Sequence, residues 1–343
     1  MLNGTPFYAN GFNAYWLMNL ASDPSQRNKV SDGETREASS HGLTVARTWA
    51  FGDGGYKPLQ YSPGAYNQDM FKGLDFVVSE ARRYGIKLIL SFVNNYENLG
   101  GRKQYVDWAR NQGQYLTSED DFYRNPVVKG FYKNHVKVIS YKDDPTIMAW
   151  ELINEPRCPS DLSGRTLQAW FTEMASYVKS FDRNHLLEVV PNPQKTVYID
   201  AEPYIGLSRH YSRAVSSSND QAQMSFLNNW LDTHIQDAQY MIRKPLLLAE
   251  FGKSSKDPGY STYQRESVFH AVYNKVDVAA KSGGATAGSL FWQLLTEGMN
   301  SYGDGYEIVL SKSPSTANMI AQQSHKLLLV RKMYIRLRNS EKW

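Results

Sequence analysis

The stretch 147–156 (IMAWELINEP) is an apolar run of strand length that ends in Asn154, Glu155 and Pro156. Proline has no N–H and cannot continue a central strand, so the run stops there and leaves an amide and a carboxylic acid side by side at its C-terminal tip. Polar groups at strand ends are often merely solvated, so the pair alone decides nothing. A second run, 245–252 (PLLLAEFG), also carries a lone acid near its end, Glu250. Two facing carboxyl groups can cleave a glycosidic bond. One protonates the leaving oxygen and the other stabilises an oxocarbenium-like transition state, with retention when they lie ~5–5.5 Å apart. Glu155 suits the acid/base, because the neighbouring Asn154 amide can hold a sugar hydroxyl. Glu250 suits the nucleophile. Arg47, near the end of the run 43–51 (LTVARTWAF), is placed to keep a nucleophilic carboxylate ionised. A structural ion pair within the fold is compatible with the same position. Trp292, near the end of 288–294 (GSLFWQL), is either the floor of a sugar subsite or a plain core ring.

For these residues to meet, their runs must be strands whose tips converge. The chain alternates short apolar runs with amphipathic segments, which implies βαβ units and a parallel sheet. The strand candidates are 7–16, 43–51, 86–92, 147–152, 185–190, 245–251 and 288–294. The clearest helix is 70–84, with Met70, Leu74, Val77, Val78 and Ala81 on one face and Gly85 as its stop. Others cover 127–138, 264–281 and 317–336, with one around Leu227, Trp230, Leu231 and Ile235. A further helix, capped by Ser163, has Leu167, Trp170, Phe171, Met174 and Phe181 as its stripe. The segment 97–117, which contains Trp108, reads as a long polar loop. A sixth strand within 204–211 completes a count of eight. The fold class is then α/β, a (β/α)8 TIM barrel forming one domain over residues 1–343, with a sixth strand that is expected to be defective. Its strand tips would gather Arg47, Asn94, Asn154, Glu155, Glu250 and Trp292 in one cleft.

Composition narrows the alternatives. The chain has 343 residues, 41% hydrophobic and 21% charged, as expected of a soluble globular protein. Its net charge of +4 (38 minus 34) is scattered, which argues against nucleic acid as a partner. No apolar run approaches the ~20 residues of a membrane span, so no membrane association is expected. The single cysteine, Cys158, cannot form an internal disulfide and reads as inert. There is no G-x-S-x-G elbow, P-loop or G-x-G-x-x-G, and the seven histidines lack metal-ligand spacing. Neither metal nor cofactor is expected. Residues 1–8 show no basic start and no apolar core of a secretory signal. With 8 Trp and 23 Tyr, some aromatics fall beside polar residues, where flat rings suit sugar faces.

The segments 150–157 (WELINEPR), 44–51 (TVARTWAF), 100–106 (GGRKQYV), 249–253 (AEFGK) and 290–293 (LFWQ) resemble the plant endo-β-1,4-mannanases of glycoside hydrolase family 5. The similarity runs over nearly the whole chain. It implies a (β/α)8 barrel and retaining hydrolysis of β-1,4-mannosidic links in mannan, glucomannan and galactomannan, without a metal. By matching motifs, Glu155 would be the acid/base and Glu250 the nucleophile, with Arg47, Trp49, Asn154 and Trp292 binding substrate. The resemblance also implies a monomer secreted to the cell wall, with the polysaccharide as its partner. The chain departs from the family text at 31–35 (SDGET), between His135 and Tyr141, where it is about a dozen residues short, and over 191–215. The family's His-x-Tyr at the tip of strand six is matched only by the adjacent His210 and Tyr211. Alternation would send these two to opposite faces, though both remain candidates for substrate binding. Two other readings stay open: a mannan-binding or catalytically impaired homologue, and a β-glucanase of the same fold.

Overall fold

The computed structural model describes residues 5–139, 141–189, 205–207 and 220–340. Eight strands form one parallel sheet: β1 (Ala9–Asn13), β2 (Val45–Trp49), β3 (Lys87–Ser91), β4 (Ile147–Glu151), β5 (Leu186–Glu188), β6 (Ile205–Leu207), β7 (Leu246–Phe251) and β8 (Thr286–Phe291). Their order is β5-β4-β3-β2-β1-β8-β7-β6, so the first strand pairs with both the second and the last. That closure makes the sheet a (β/α)8 barrel. The remaining seam lies between β5 and β6, which share no ladder among the described residues. The helices are α1 (Leu17–Ser22), α2 (Arg36–Ser40), α3 (Gln68–Arg83), α4 (Gly101–Asn111), α5 (Pro126–Val138), α6 (Arg165–Phe181), α7 (Asp220–Gln236), α8 (Thr262–Ser282) and α9 (Pro314–Ser340).

Strands β1 to β5, β7 and β8 are buried on both faces, which is why they read as nearly unbroken apolar runs. One face fills the barrel: Ala9, Val45, Ile89, Ala149, Leu247 and Leu290 come from six different strands and pack as one layer. The other face packs under the helices; Leu88, Leu90, Leu248 and Phe291 join Leu74, Val78, Phe171 and Phe269 in the large outer core. Fully burying a side chain of this size contributes roughly 1.5–3 kcal/mol, so the two layers together hold the strand tips rigid.

Two expectations need correction. The segment 97–117 is not a loop, because it contains α4, with Tyr105, Val106, Trp108 and Ala109 buried. Buried Arg102, Tyr105, Val106 and Ala109 keep helical spacing, and the polar residues between them belong to the outer face. Trp108 accordingly packs edge-on to Tyr105 at 5.2 Å rather than facing a ligand. The residue capping α6 is Gly164, in the left-handed region, not Ser163. It is Asp161 that accepts hydrogen bonds from the backbone N–H groups of Ser163 and Thr166. The sixth strand lies within 204–211 as expected and is short: Ile205, Gly206 and Leu207 lie in register with Leu246, Leu247 and Leu248. His210 and Tyr211 lie outside the described residues.

Candidate active site

Strand alternation carries the polar residues up from the barrel's apolar layer. Val45 is inside, so Arg47 two residues on is also inside. By the same step Ala149 leads to Glu151, Ala9 leads through Gly11 to Asn13, and Leu290 leads to Trp292. β7 breaks this rule. Its partner β8 pairs Ser289 with Leu248 and Phe291 with Phe251, so two steps on β8 match three on β7. Without this bulge Glu250 would follow Leu248 onto the helix side of the sheet. The extra residue turns its carboxylate inward, which is what bulges beside active sites commonly do.

Arg47 is the centre of the arrangement and is fully buried. All five of its N–H groups are used. Nε and Nη2 donate to the two oxygens of Glu151, at 3.0 and 2.6 Å. Nη1 donates to Asn13 Oδ1 at 2.9 Å and to Glu250 Oε1 at 2.5 Å, and Nη2 also donates to Asn154 Oδ1 at 2.7 Å. Burial works against the guanidinium's charge, but the carboxylates of Glu151 and Glu250 outweigh it and push its pKa up. Asn13 and Asn154 are fixed in turn. Asn13 Nδ2 donates to the carbonyls of Ala249 and Phe291, and Asn154 Nδ2 donates to Asn94 Oδ1 at 3.0 Å.

Glu155 follows Asn154 and is held at φ +47°, a left-handed conformation that a non-glycine residue adopts only under constraint. It is 7% exposed, and Glu250 is 9% exposed. Tyr96 Oη donates to Glu155 Oε2 at 3.0 Å, and Arg157 Nη2 lies 3.7 Å from the same oxygen. Burial and then the Glu155 charge raise the Tyr96 pKa, so the phenol stays a donor. The loops carrying Tyr96 and Arg157 are tied together. Asn95 Oδ1 accepts from the Arg157 N–H, and the Asn95 carbonyl accepts from Arg102, which is paired with Asp120. Gly101 permits this approach, since a Cβ there would lie 2.0 Å from the Tyr96 carbonyl oxygen.

An aromatic wall stands beside the carboxylates. Trp292 stacks on Tyr15, with ring centres 5.9 Å apart and planes 7° apart, and meets Trp49 at 6.3 Å. Its indole N–H donates to Asp304 at 2.6 Å. The ring is half-buried and so is not a plain core residue. Trp49 is buried, with the Arg47 guanidinium 4.7 Å from its ring centre.

Of the site residues expected from sequence, Arg47, Trp49, Asn154, Glu250 and Trp292 are thus joined by contacts, with Glu155 adjacent in the chain. Sequence reasoning missed Asn13, Glu151, Glu188, Tyr15 and Tyr96. For Glu151 and Glu188 there was a signal: an acid inside a strand buried on both faces must meet a charge or a proton. Cys158 is buried, and that burial raises its thiol pKa. Among the described residues no cluster of three or more His, Cys, Asp or Glu could hold a metal, and no helix is long and apolar enough to cross a membrane.

Comparison with known proteins places this geometry in a family. A model of the "GH family 5 beta-mannosidase-like" proteins matches residues 1–201. Mannan endo-1,4-beta-mannosidase 7 of Arabidopsis thaliana is 58% identical over 374 aligned positions, covering 100% of this chain and 86% of that protein. Mannan endo-1,4-beta-mannosidase 1 of Oryza sativa subsp. japonica is 54% identical, covering 99% of this chain and 87% of that protein. Among solved structures, the endo-beta-1,4-mannanase from Thermotoga petrophila superposes with a TM-score of 0.79 at 28% identity, covering 95% of this chain and 78% of that one. A family 5 mannosidase from Rhizomucor miehei reaches a TM-score of 0.81 at 20% identity, over 96% of this chain and 95% of that one, which shows the shared fold.

Proposed function

The chain belongs to the β-mannosidase-like proteins of glycoside hydrolase family 5, and from that membership we propose that it hydrolyses internal β-1,4-mannosidic links of mannan, glucomannan and galactomannan with retention. The observation that carries the proposal is the single guanidinium of Arg47, which grips Glu250 and Asn154 at once while Glu155 follows Asn154 in the chain. A cation bonded to Glu250 favours its anionic form, as a nucleophile requires. Glu155 donates a proton to the departing glycosidic oxygen as Glu250 attacks the anomeric carbon, giving a glycosyl-enzyme. Glu155, now a carboxylate, then takes a proton from water, which attacks the same carbon and releases Glu250. The Tyr96 phenol steadies Glu155 in both forms. Asn154 is positioned to hold a sugar hydroxyl, and the Trp292 face, backed by Tyr15 and Trp49, offers an apolar plane for a pyranose. The protein acts in this reading as a monomeric one-domain enzyme of the cell wall, with the polysaccharide as its partner.

The test is reducing-end release from galactomannan by the purified protein, with nuclear magnetic resonance reading which anomer forms first. Initial release of the β-anomer is expected, and Glu155→Gln and Glu250→Gln should each lower kcat by about 10³-fold or more. Normal turnover by either variant refutes its assigned role. Binding to mannan without release, or faster turnover of cellulose, refutes the proposed activity.

A further inference from the structure

Glu188 is a buried acid that the proposed mechanism leaves unused. It lies on β5 directly opposite Glu151 of β4 and is 1% exposed. Its Oε1 is buried with no hydrogen-bond partner among the described residues. Among the described residues the cation that acts on it is Arg47, and the five N–H groups of that side chain are already committed to Glu151, Glu250, Asn13 and Asn154. Among the described residues the charged groups that act on Glu188 are Glu151 on β4, Arg47 on β2 and Glu250 on β7. Below it, toward the N-terminal end of the barrel, lies a cavity of about 410 Å³ with apolar Phe7, Met148, Leu186 and Leu247 in its wall. The charged residues there face other partners or the solvent. Lys87 donates to the Pro145 carbonyl, His185 is paired with Asp182, and Lys142 and Asp143 are exposed.

We propose that Glu188 is the neutral member of this buried acid cluster and a positioning residue for Glu250. While Glu188 keeps its proton, Arg47 balances Glu151 and holds Glu250. Once the proton leaves, three anions share one cation and the grip on Glu250 loosens. Burial, followed by the Glu151 charge, pushes the Glu188 pKa up to about 8, while Arg47 pulls against that and Glu250 adds to it. Glu188 therefore ionises just above neutrality. The activity consequence rests on the nucleophile role proposed for Glu250; the stability consequence does not.

The experiment compares the full chain with its Glu188→Gln variant in two pH series from 4 to 10. One series reads kcat and KM on galactomannan, and the other reads Tm. In the parent, kcat should fall about tenfold per pH unit above about 8, with KM little changed. The alkaline limb of the variant, relative to its own maximum, should start at least about one unit higher. A group whose folded pKa is raised favours the folded state only while protonated. The parent's Tm should therefore decline from about pH 5 to 8, and the variant's should decline less. Superimposable Tm curves overturn the neutral-acid assignment, with or without enzyme activity. Superimposable relative rate profiles beside divergent Tm curves overturn the positioning role alone.

Discussion

Replacing Arg47 with lysine keeps one positive charge and removes the fork that distributes it. Lysine offers three donors from a single nitrogen, against five from a rigid plane, and cannot bond both Glu151 oxygens while also reaching Glu250, Asn13 and Asn154. At least two of the five bonds must go. Bonds that involve a charged group contribute about 1.5–3 kcal/mol each, so Arg47→Lys should destabilise the fold by about 3–6 kcal/mol. For a chain of this length that corresponds to a Tm lower by roughly 4–8 °C. If one lost bond is the one aiming Glu250 or holding Asn154, the same 1.5–3 kcal/mol lowers kcat by about 10–150-fold. The assay pairs thermal melts with initial rates on galactomannan, measured well below the variant's Tm so that unfolding does not mimic a catalytic loss. A variant with kcat within about threefold of the parent would refute the claim that the guanidinium's geometry, rather than its charge alone, organises the site.

Three further outcomes follow from other contacts. Glu34 is 1% exposed with neither carboxylate oxygen hydrogen-bonded among the described residues, and burial, then the nearby Glu37, hold its pKa well above the usual range. Glu34→Leu should raise Tm by roughly 3–6 °C, from about 2–4 kcal/mol of relieved desolvation, and thermal melts check it. The gain should grow as pH rises above about 4.5, because only the parent must lose or retain a costly proton there; a gain confined to acidic pH contradicts the sign. Tyr96→Phe removes the donor to Glu155 and should lower kcat about 3–10-fold with little change in KM, as measured on mannohexaose. Trp292→Ala removes a half-exposed ring stacked on Tyr15, so KM should rise about 5–30-fold with kcat less affected; the reverse pattern in the same assay would deny it a sugar-facing role.

Much of the architecture was legible in the residues because the barrel's requirements are local. Strands buried on both faces must be apolar throughout, and the runs ending near Arg47, Asn154 and Glu250 became β2, β4 and β7 to within a few residues. α3 announced itself by the spacing of Met70, Leu74, Val77 and Val78, all buried. α4 did not, because Gly100 and Gly101 and a polar outer face mimic a loop, and only packing around Tyr105 and Trp108 shows that its inner stripe is used.

What the sequence determined by itself was the chemistry available: two acids, an arginine, an amide and a tryptophan, each near the C-terminal end of an apolar run. What only tertiary structure decided was where those groups point and whom they meet. Strict alternation would send Glu250 out under the helices, and the bulge that brings it to Arg47 appears only when β7 is laid beside β8. Glu151 and Glu188 likewise read as single acids in separate strands. They become one electrostatic unit around Arg47 because neighbouring strands set them level, and interactions between charges depend on distance in space, not on separation along the chain.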